Sequence, residues 1–183
     1  MSRRSRWILL ALVVVLVGGA AALVLTQQPK LDDAENAVDV HWKPLRAPDA
    51  LVLRYQKLQG ALSAFDAAGG SDREVSKTLH AALVGWNAAL KSGGAETQAE
   101  RANAVEAQAT RLRANVLGSP RLSEDKAVVD SLTAFAAARP PQTMVAAYNS
   151  AVDKYESERT GTLQRPVARI LGYGARPAFE LGF

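Results

Sequence analysis

Two histidines, His41 and His80, are the first candidates for metal binding in a chain that has no cysteine. Helical metal sites place two histidines four residues apart, or a glutamate three residues before a histidine. Here the positions three residues before the histidines hold Val38 and Lys77. Without cysteine the chain has no disulfide, no thiolate ligand and no thiol nucleophile. The sequence therefore predicts no metal and no cofactor.

A serine hydroxyl activated by a lysine is the second chemistry to consider. Serine and lysine lie close together in sequence at Ser76-Lys77, Lys91-Ser92 and Ser123 with Lys126. The chain has no P-loop, G-x-G-x-x-G or G-x-S-x-G motif that would supply a phosphate cradle or an oxyanion hole. We therefore expect no catalytic residue and no enzymatic activity. A hydrolase that uses a Ser–Lys pair or facing carboxylates is the alternative.

The uncharged apolar run at residues 7–25 determines in which compartment these side chains would lie. As a helix it would rise about 28 Å, close to the roughly 30 Å of bilayer hydrocarbon. Arg3, Arg4 and Arg6 precede it, and cations mark the cytoplasmic side of a span. The run predicts a single-pass anchor in the inner membrane, with the N-terminus cytoplasmic and the rest extracytoplasmic. The anchor residues are Trp7, Leu10, Val14, Gly18, Gly19, Ala22 and Leu25.

Two other interpretations of the run remain open. Ala20 and Ala22 fit the A-x-A pattern of a cleaved signal peptide, but the apolar run continues to Leu25 and exceeds the usual 7–15 residues. A buried core helix of a soluble protein is the third interpretation. The small residues from Gly18 to Ala22 would also let two anchors pack together, which predicts self-association as an alternative function.

The charge of the chain does not favour nucleic acid as a partner. The formal net charge is +4, and because three arginines precede the apolar run, the remainder carries +4 − 3 = +1. No later stretch interleaves basic and aromatic residues in the manner of nucleic-acid-binding surfaces. We therefore expect no binding to DNA or RNA.

Apolar residues recur every three or four positions in the rest of the chain, which predicts helices. Gly-Gly pairs and prolines separate them. Asp49 is the predicted N-cap of the first, and Ser71 with Glu74 has the spacing of a capping box at the second. The five predicted long helices are 49–67, 72–92, 95–117, 121–138 and 142–160.

The predicted fold is all-α, with four segments. Residues 1–26 hold the cytoplasmic arginines and the transmembrane helix. Residues 27–48 form a juxtamembrane segment, with a short helix interrupted by Pro44 and Pro48. Trp42 in this segment is expected to pack in the core, and a place at the membrane surface is the alternative. Residues 49–162 form an antiparallel long-helix bundle of the four-helix-bundle type. Residues 163–183 form an irregular docked tail, with a short helix over 167–171 and a turn at Gly172-Tyr173-Gly174.

Motif blocks in the C-terminal third resemble those of a known family. The blocks are Ser119-Pro120-Arg121-Leu122, Tyr148-Asn149-Ser150-Ala151-Val152-Asp153-Lys154-Tyr155, Gly172-Tyr173 and Arg176-Pro177-Ala178-Phe179-Glu180. Together with the N-terminal anchor, Leu31-Asp32-Asp33 and Trp42, they make the chain similar to the LemA family of bacterial membrane-anchored helical proteins. The resemblance implies a four-helix-type bundle and a membrane location, and it carries no defined activity.

Three departures from the family pattern indicate a divergent branch. Residues 53–59 lack the Arg-x-Asp-Leu-Ile-Pro-Asn-Leu block of the first soluble helix. Residues 71–74 replace the usual His-Glu, and Thr162-Leu163 stand where Phe-Pro is common. We therefore expect a membrane-tethered, non-enzymatic bundle that contacts the lipid bilayer and binds or scaffolds other envelope proteins. The chain ends at Phe183, which offers a docking group for a PDZ-like partner.

Overall fold

A computed structural model describes the backbone from Arg3 to Phe183. Side chains are described for Trp7, Leu12, Val15, residues 17–19 and every residue from Ala21 onward. The side chains of several residues behind the anchor and topology predictions lie outside the described residues, namely those of Arg3, Arg4, Arg6, Leu10 and Val14.

The described chain is all-helical, as predicted, and residues 3–183 contain no strand. A π-helical turn, Asp66–Gly70, follows α2, and Gly69 within it has φ of 91°, a conformation that glycine adopts without strain. The helices are α1 (Arg3–Leu45), α2 (Leu51–Phe65), α3 (Glu74–Ser92), α4 (Ala95–Leu117), α5 (Pro120–Ser123), α6 (Lys126–Ala137), α7 (Gln142–Thr160) and α8 (Gln164–Leu171).

Helix α1 is continuous where the sequence predicted an interruption. Pro29 lies inside α1, and Pro44 lies in its last turn. A proline removes one helical hydrogen bond and strains its neighbours by about 3 kcal/mol. Leu31 and Val38 are completely buried, and this burial stabilises the helix beyond Pro29. The predicted division into a transmembrane helix that ends at residue 26 and a separate short helix is therefore wrong, whereas the interruption predicted at Pro44 and Pro48 agrees with the end of α1 at Leu45.

The bounds of the later helices match the prediction in part. Helices α4 and α7 begin and end at the predicted residues. The predicted fourth helix is wrong, because it is divided into α5 and α6 around Glu124 and Asp125, and Asp125 caps α6 by accepting from Val128 N.

Both predicted caps are also wrong. Helix α2 has Ala50 at its N-cap, and α3 has Arg73 there. Neither position makes a side-chain capping bond.

Among the residues that the structure describes, no helix combines the length and the apolar composition that crossing a bilayer requires.

The described residues form two compact units. The first unit comprises the residues up to Ala37 together with Asp153–Arg176. Its buried core is Leu31, Val167 and Ala168, and partly buried apolar side chains pack against it: Leu23, Val24 and Tyr173.

The second unit comprises Val38–Val152 and Pro177–Phe183. Helix α3 packs against α4, and α2 packs against α6. Trp42 is buried and its Nε1 donates to Gln98 Oε1 at 2.9 Å, so the predicted core position of Trp42 is confirmed. The predicted apolar stripes supply the core, including Leu58, Leu62, Phe65, Leu79, Leu83, Trp86, Val105, Leu112, Val116, Leu122, Val128, Leu132 and Phe135.

Candidate functional site

The last seven described residues, 177–183, form an extended segment of the second unit that we call the docked tail. Two asparagines, Asn149 on α7 and Asn103 on α4, form hydrogen bonds with its backbone. Asn149 Oδ1 accepts from Phe179 N at 2.8 Å, and Asn149 Nδ2 donates to Phe179 O at 3.0 Å. Asn103 repeats this pattern with Glu180 N at 2.9 Å and Ala178 O at 2.7 Å. Each carboxamide thus replaces the neighbouring strand that an extended segment normally needs.

Other side chains bind the remaining backbone groups of the docked tail. The Tyr148 hydroxyl donates to Pro177 O at 2.8 Å. Gly182 N donates to Glu106 Oε2 at 3.0 Å, and Arg139 Nη2 donates to Gly182 O at 2.7 Å. The site is therefore built to hold extended polypeptide through side chains of α4, α7 and the end of α6.

A buried ion pair lies under the docked tail. Arg54 Nε and Nη2 donate to the two carboxylate oxygens of Glu106 at 2.7 and 2.8 Å, and both residues are almost completely buried. Arg54 also donates to Phe135 O at 3.1 Å and to Phe183 O at 3.0 Å. Its guanidinium carbon lies 3.9 Å from the Phe135 ring centroid. These contacts satisfy the two charges and connect α2, α4, α6 and the docked tail.

The sequence analysis did not single out Arg54 or Glu106, so it missed this ion pair. A signal was available in the spacing of the apolar stripes. Arg54 lies three residues after Leu51 and four before Leu58 on α2, and Glu106 lies four residues after Ala102 on α4. Opposite charges on the buried faces of two helices indicate a pair.

The tyrosines on the apolar stripes fill the core, and their hydroxyls reach backbone acceptors. In the second unit the buried Tyr55 donates to Ala102 O at 3.2 Å. Burial raises the pKa of Tyr55 well above its usual value, and the charge of Glu106 raises it further. A phenol kept protonated in this way acts as a structural hydrogen-bond donor rather than a base.

The first unit has its own hydrogen-bonded network around Tyr155 and Tyr173. Tyr155 donates to Gly174 O at 2.7 Å, and Tyr173 donates to Asp32. Burial is the largest cause that raises the pKa of each of these tyrosines, and for Tyr173 the bond to Asp32 adds to it. Gly172 has φ of 80°, so the predicted glycine turn is confirmed at this position.

The Arg176 guanidinium of the first unit contacts Glu35, while Arg176 N donates to Glu156 Oε1 at 2.8 Å. Glu156 in turn accepts from Arg159. These acidic residues are therefore committed to internal partners.

A cavity of about 500 Å³ opens between α4 and α6 beside the docked tail, and we call it the tail cavity. Arg113 lies over the Phe183 ring at 4.7 Å, and Phe183 packs edge-on against Phe135. The lining residues are Arg113, Val116, Leu117, Ser123, Val129, Leu132, Thr133, Ala136, Arg139 and Phe183. Apolar walls with a few polar groups are typical of binding cavities.

The structure brings some of the family-motif residues together. In the second unit Tyr148, Asn149, Pro177 and Phe179 meet at the docked tail. Ala151 and Val152 are buried in that unit, Pro120 begins α5, Leu122 is buried, and Glu180 contributes its backbone N. In the first unit the motif residues are Tyr155, Gly172 and Tyr173.

The serines of the possible Ser–Lys pairs donate to groups other than lysine. Ser76 donates to Asp66 Oδ1 at 2.6 Å, Ser92 to Ala88 O, and Ser123 to Pro120 O. Both histidines are exposed. Within the described residues no group of histidine and carboxylate side chains has the arrangement of a metal site.

Replacing Gly182 with alanine is expected to detach the end of the docked tail. An added Cβ would lie 2.8 Å from Glu106 Oε2 and 3.1 Å from Glu106 O. Because Arg54 holds that carboxylate in the core, the tail must move instead. We expect a loss of about 1–3 kcal/mol in the free energy of unfolding, measured by urea denaturation of the full chain in detergent.

Gly60→Ala is the control for this glycine substitution. Gly60 lies exposed on α2 with open space around its Cα. Alanine there should stabilise the helix by about 0.5–1 kcal/mol. Equal stability of the Gly182→Ala variant and the parent would contradict the tight approach of the tail to α4.

Comparison with known proteins adds no relative: no family model, no curated protein and no solved structure matches this chain.

Proposed function

We propose that this chain is a membrane-tethered, non-enzymatic helical bundle, a divergent LemA-like protein, that binds other envelope proteins through its second unit. The observation that carries the binding role is the tail cavity, which combines exposed apolar side chains with arginines beside a docked peptide segment. The anchor would hold the N-terminus in the cytoplasm and the second unit outside it.

The membrane anchor is supported by the sequence run and by the exposure of its described side chains. Trp7, Val15 and Leu25 are 70%, 73% and 74% exposed on α1. Large apolar side chains that protein does not cover require another apolar environment, and hydrocarbon supplies it. The three arginines before the run favour a cytoplasmic N-terminus.

The binding role is supported by the surface of the tail cavity. Leu117 is 67% exposed, and Val129 lies at the opposite wall with more than a third of its surface exposed. Arg113 and Arg139 border these aliphatic groups. A combination of exposed aliphatic side chains, an aromatic ring and arginine is typical of the centre of protein interfaces.

A photoreactive amino acid at Val129 tests this proposal in cells. The substituted full chain would be irradiated in its membrane and its crosslinked products identified by mass spectrometry. We expect one defined envelope protein, and the purified partner should then bind the reconstituted chain. Val84 is the matched control, because it is an exposed valine that lines a separate cavity of the second unit between α3 and α4.

A charge at the cavity should prevent the crosslink. Leu117→Asp places a carboxylate on an exposed position, so the bundle should fold, and we expect the Val129 crosslink to decrease at least tenfold. Equal crosslinking from Val84 and Val129, or a product that contains only a second copy of this chain, would overturn the adapter role.

A further inference from the structure

Helix α8 packs at the end of the apolar run. Its Val167 and Ala168 are buried against Leu31, and Leu23 and Val24 pack against the same core. Leu23 and Val24 belong to the uncharged run 7–25, and Leu31 lies just beyond it. In the first unit, therefore, α8 lies beside the part of α1 where the proposed anchor would leave the bilayer.

Large aliphatic side chains are exposed on α8 and immediately before it. Leu163 immediately before the helix is 55% exposed, and Ile170 is 72% exposed. These two positions lie seven residues apart, so a helix brings them onto one stripe. Leu171 adds a further partly exposed leucine at the end of the helix. Among the side chains of the first unit that the structure describes, none covers these aliphatic groups.

Basic side chains border this apolar stripe. Arg165 and Arg169 are both exposed, and α8 contains no acidic residue. Together with Arg159, Thr160 and Tyr173 they line an open cavity. Among the described residues neither Arg165 nor Arg169 makes an ion pair, whereas Arg159 is bound to Glu156.

The acidic side chains of the first unit whose partners are described bind groups other than these two arginines, and Glu158 accepts from Gln164 Nε2 at 3.4 Å. Glu156 is bound to Arg159 and to the backbone of Arg176. Asp32 accepts from Tyr173, and Glu35 is paired with Arg176. Two guanidinium groups are therefore left to attract an anion next to exposed aliphatic side chains.

We infer that α8 lies in the headgroup layer of the membrane, where Arg165 and Arg169 bind the phosphate of an anionic phospholipid. This inference rests on the proposed membrane anchor, because the anchor brings α8 to the bilayer surface. Helices with an aliphatic stripe beside arginines lie in this layer, with the aliphatic groups among the acyl chains and the cations at the phosphates. Guanidinium matches phosphate with two parallel hydrogen bonds.

A single fluorophore at position 170 tests the inference in the full chain. Because the chain has no cysteine, Ile170→Cys provides a unique labelling site for an environment-sensitive dye. The protein would be reconstituted into vesicles of phosphatidylcholine, with or without phosphatidylglycerol. We expect a blue-shifted emission and quenching by brominated lipids, both stronger when phosphatidylglycerol is present.

Charge removal and a second label supply the controls. Arg165→Gln with Arg169→Gln should lower the ratio of inserted to water-exposed dye about tenfold in phosphatidylglycerol vesicles. Removal of the same charge from α4, with Arg101→Gln and Arg111→Gln, should leave the ratio unchanged. A dye at Val84→Cys in the second unit should stay in water in both kinds of vesicle.

Flotation of the same vesicles separates the two proposals. A chain that fails to float with the vesicles overturns the anchor and the inference together. If the chain floats with the vesicles while the dye at position 170 stays in water, the result supports the anchor and overturns the inference. The inference is also overturned if the dye inserts equally with and without phosphatidylglycerol, and equally in the parent and in the variant that lacks the two arginines. In that case the helix would not recognise a headgroup phosphate.

Discussion

Replacing Glu106 with leucine is expected to lower the free energy of unfolding by about 3–5 kcal/mol, because it leaves the Arg54 guanidinium buried without a counter-ion. Gly182 N would also lose its acceptor. The measurement is urea denaturation of the full chain in detergent, followed by tryptophan fluorescence. Because Trp42 and Trp86 are both buried in the second unit, their emission reports its unfolding.

A double-mutant cycle separates the pair from its surroundings. Arg54→Met should lower the free energy of unfolding about as much as Glu106→Leu does. The double variant should regain part of this free energy, because no unpaired charge is then buried. Recovery should be incomplete, since the carbonyl groups of Phe135 and Phe183 lose their donor. Strictly additive losses would show that the two side chains do not interact.

An exposed ion pair provides the matched control. Lys126 and Asp130 form an i,i+4 pair on the surface of α6. Because water screens such charges, Asp130→Leu should leave the unfolding curve nearly unchanged. Glu106→Leu and Asp130→Leu both replace an acid with leucine. A difference between their effects on the free energy of unfolding therefore reports the burial of Glu106.

Replacing Phe179 with alanine has the second large expected effect, a loss of about 3–5 kcal/mol in the free energy of unfolding. Phe179 is almost completely buried, and its ring lies edge-on to Trp42 with the centroids 5.9 Å apart. The truncated side chain would leave a void beside Trp42. Asn149 would then hold a tail segment whose main apolar contact is gone.

Limited proteolysis and the unfolding curve together measure this effect. The docked tail of the Phe179→Ala variant should be cleaved before the helices of the second unit, whereas the parent should resist cleavage. Glu180→Ala, with its side chain exposed, should match the parent to within about 0.5 kcal/mol. Unchanged protease resistance in Phe179→Ala would show that the hydrogen bonds alone dock the tail.

The helices were predictable from the sequence wherever apolar periodicity and end signals agreed. For α4, paired glycines precede the stripe and Gly118 with Pro120 follows it, so its bounds were correct. The transmembrane helix was predicted to end by residue 26, but residues far apart in sequence bury Leu31 and stabilise one continuous helix. The predicted caps at Asp49 and Ser71 were wrong because the helices begin later than expected. The N-cap of α2 is Ala50 and that of α3 is Arg73, so Asp49 and Ser71 precede the N-cap positions.

The site was less predictable than the helices. A docked tail was expected over residues 163–183, with a short helix over 167–171. In the structure α8 begins earlier, at Gln164, and residues 177–183 are the part that docks on the second unit. The side chains that hold the tail were not identified, because nothing local distinguishes Asn103 and Asn149 from solvated polar residues. Their partners lie 77 and 30 residues away, and only the fold brings them together.

Because Glu106 and its tail partner Gly182 lie far apart in the sequence, the ribosome adds them at different times. Gly182 follows Glu106 by 76 residues, and ribosomes add about 5–20 residues per second. For several seconds the newly made α2 and α4 therefore exist without the segment that completes their shared polar centre. A chaperone that shields the nascent bundle during this interval would protect it from aggregation until the last residues arrive.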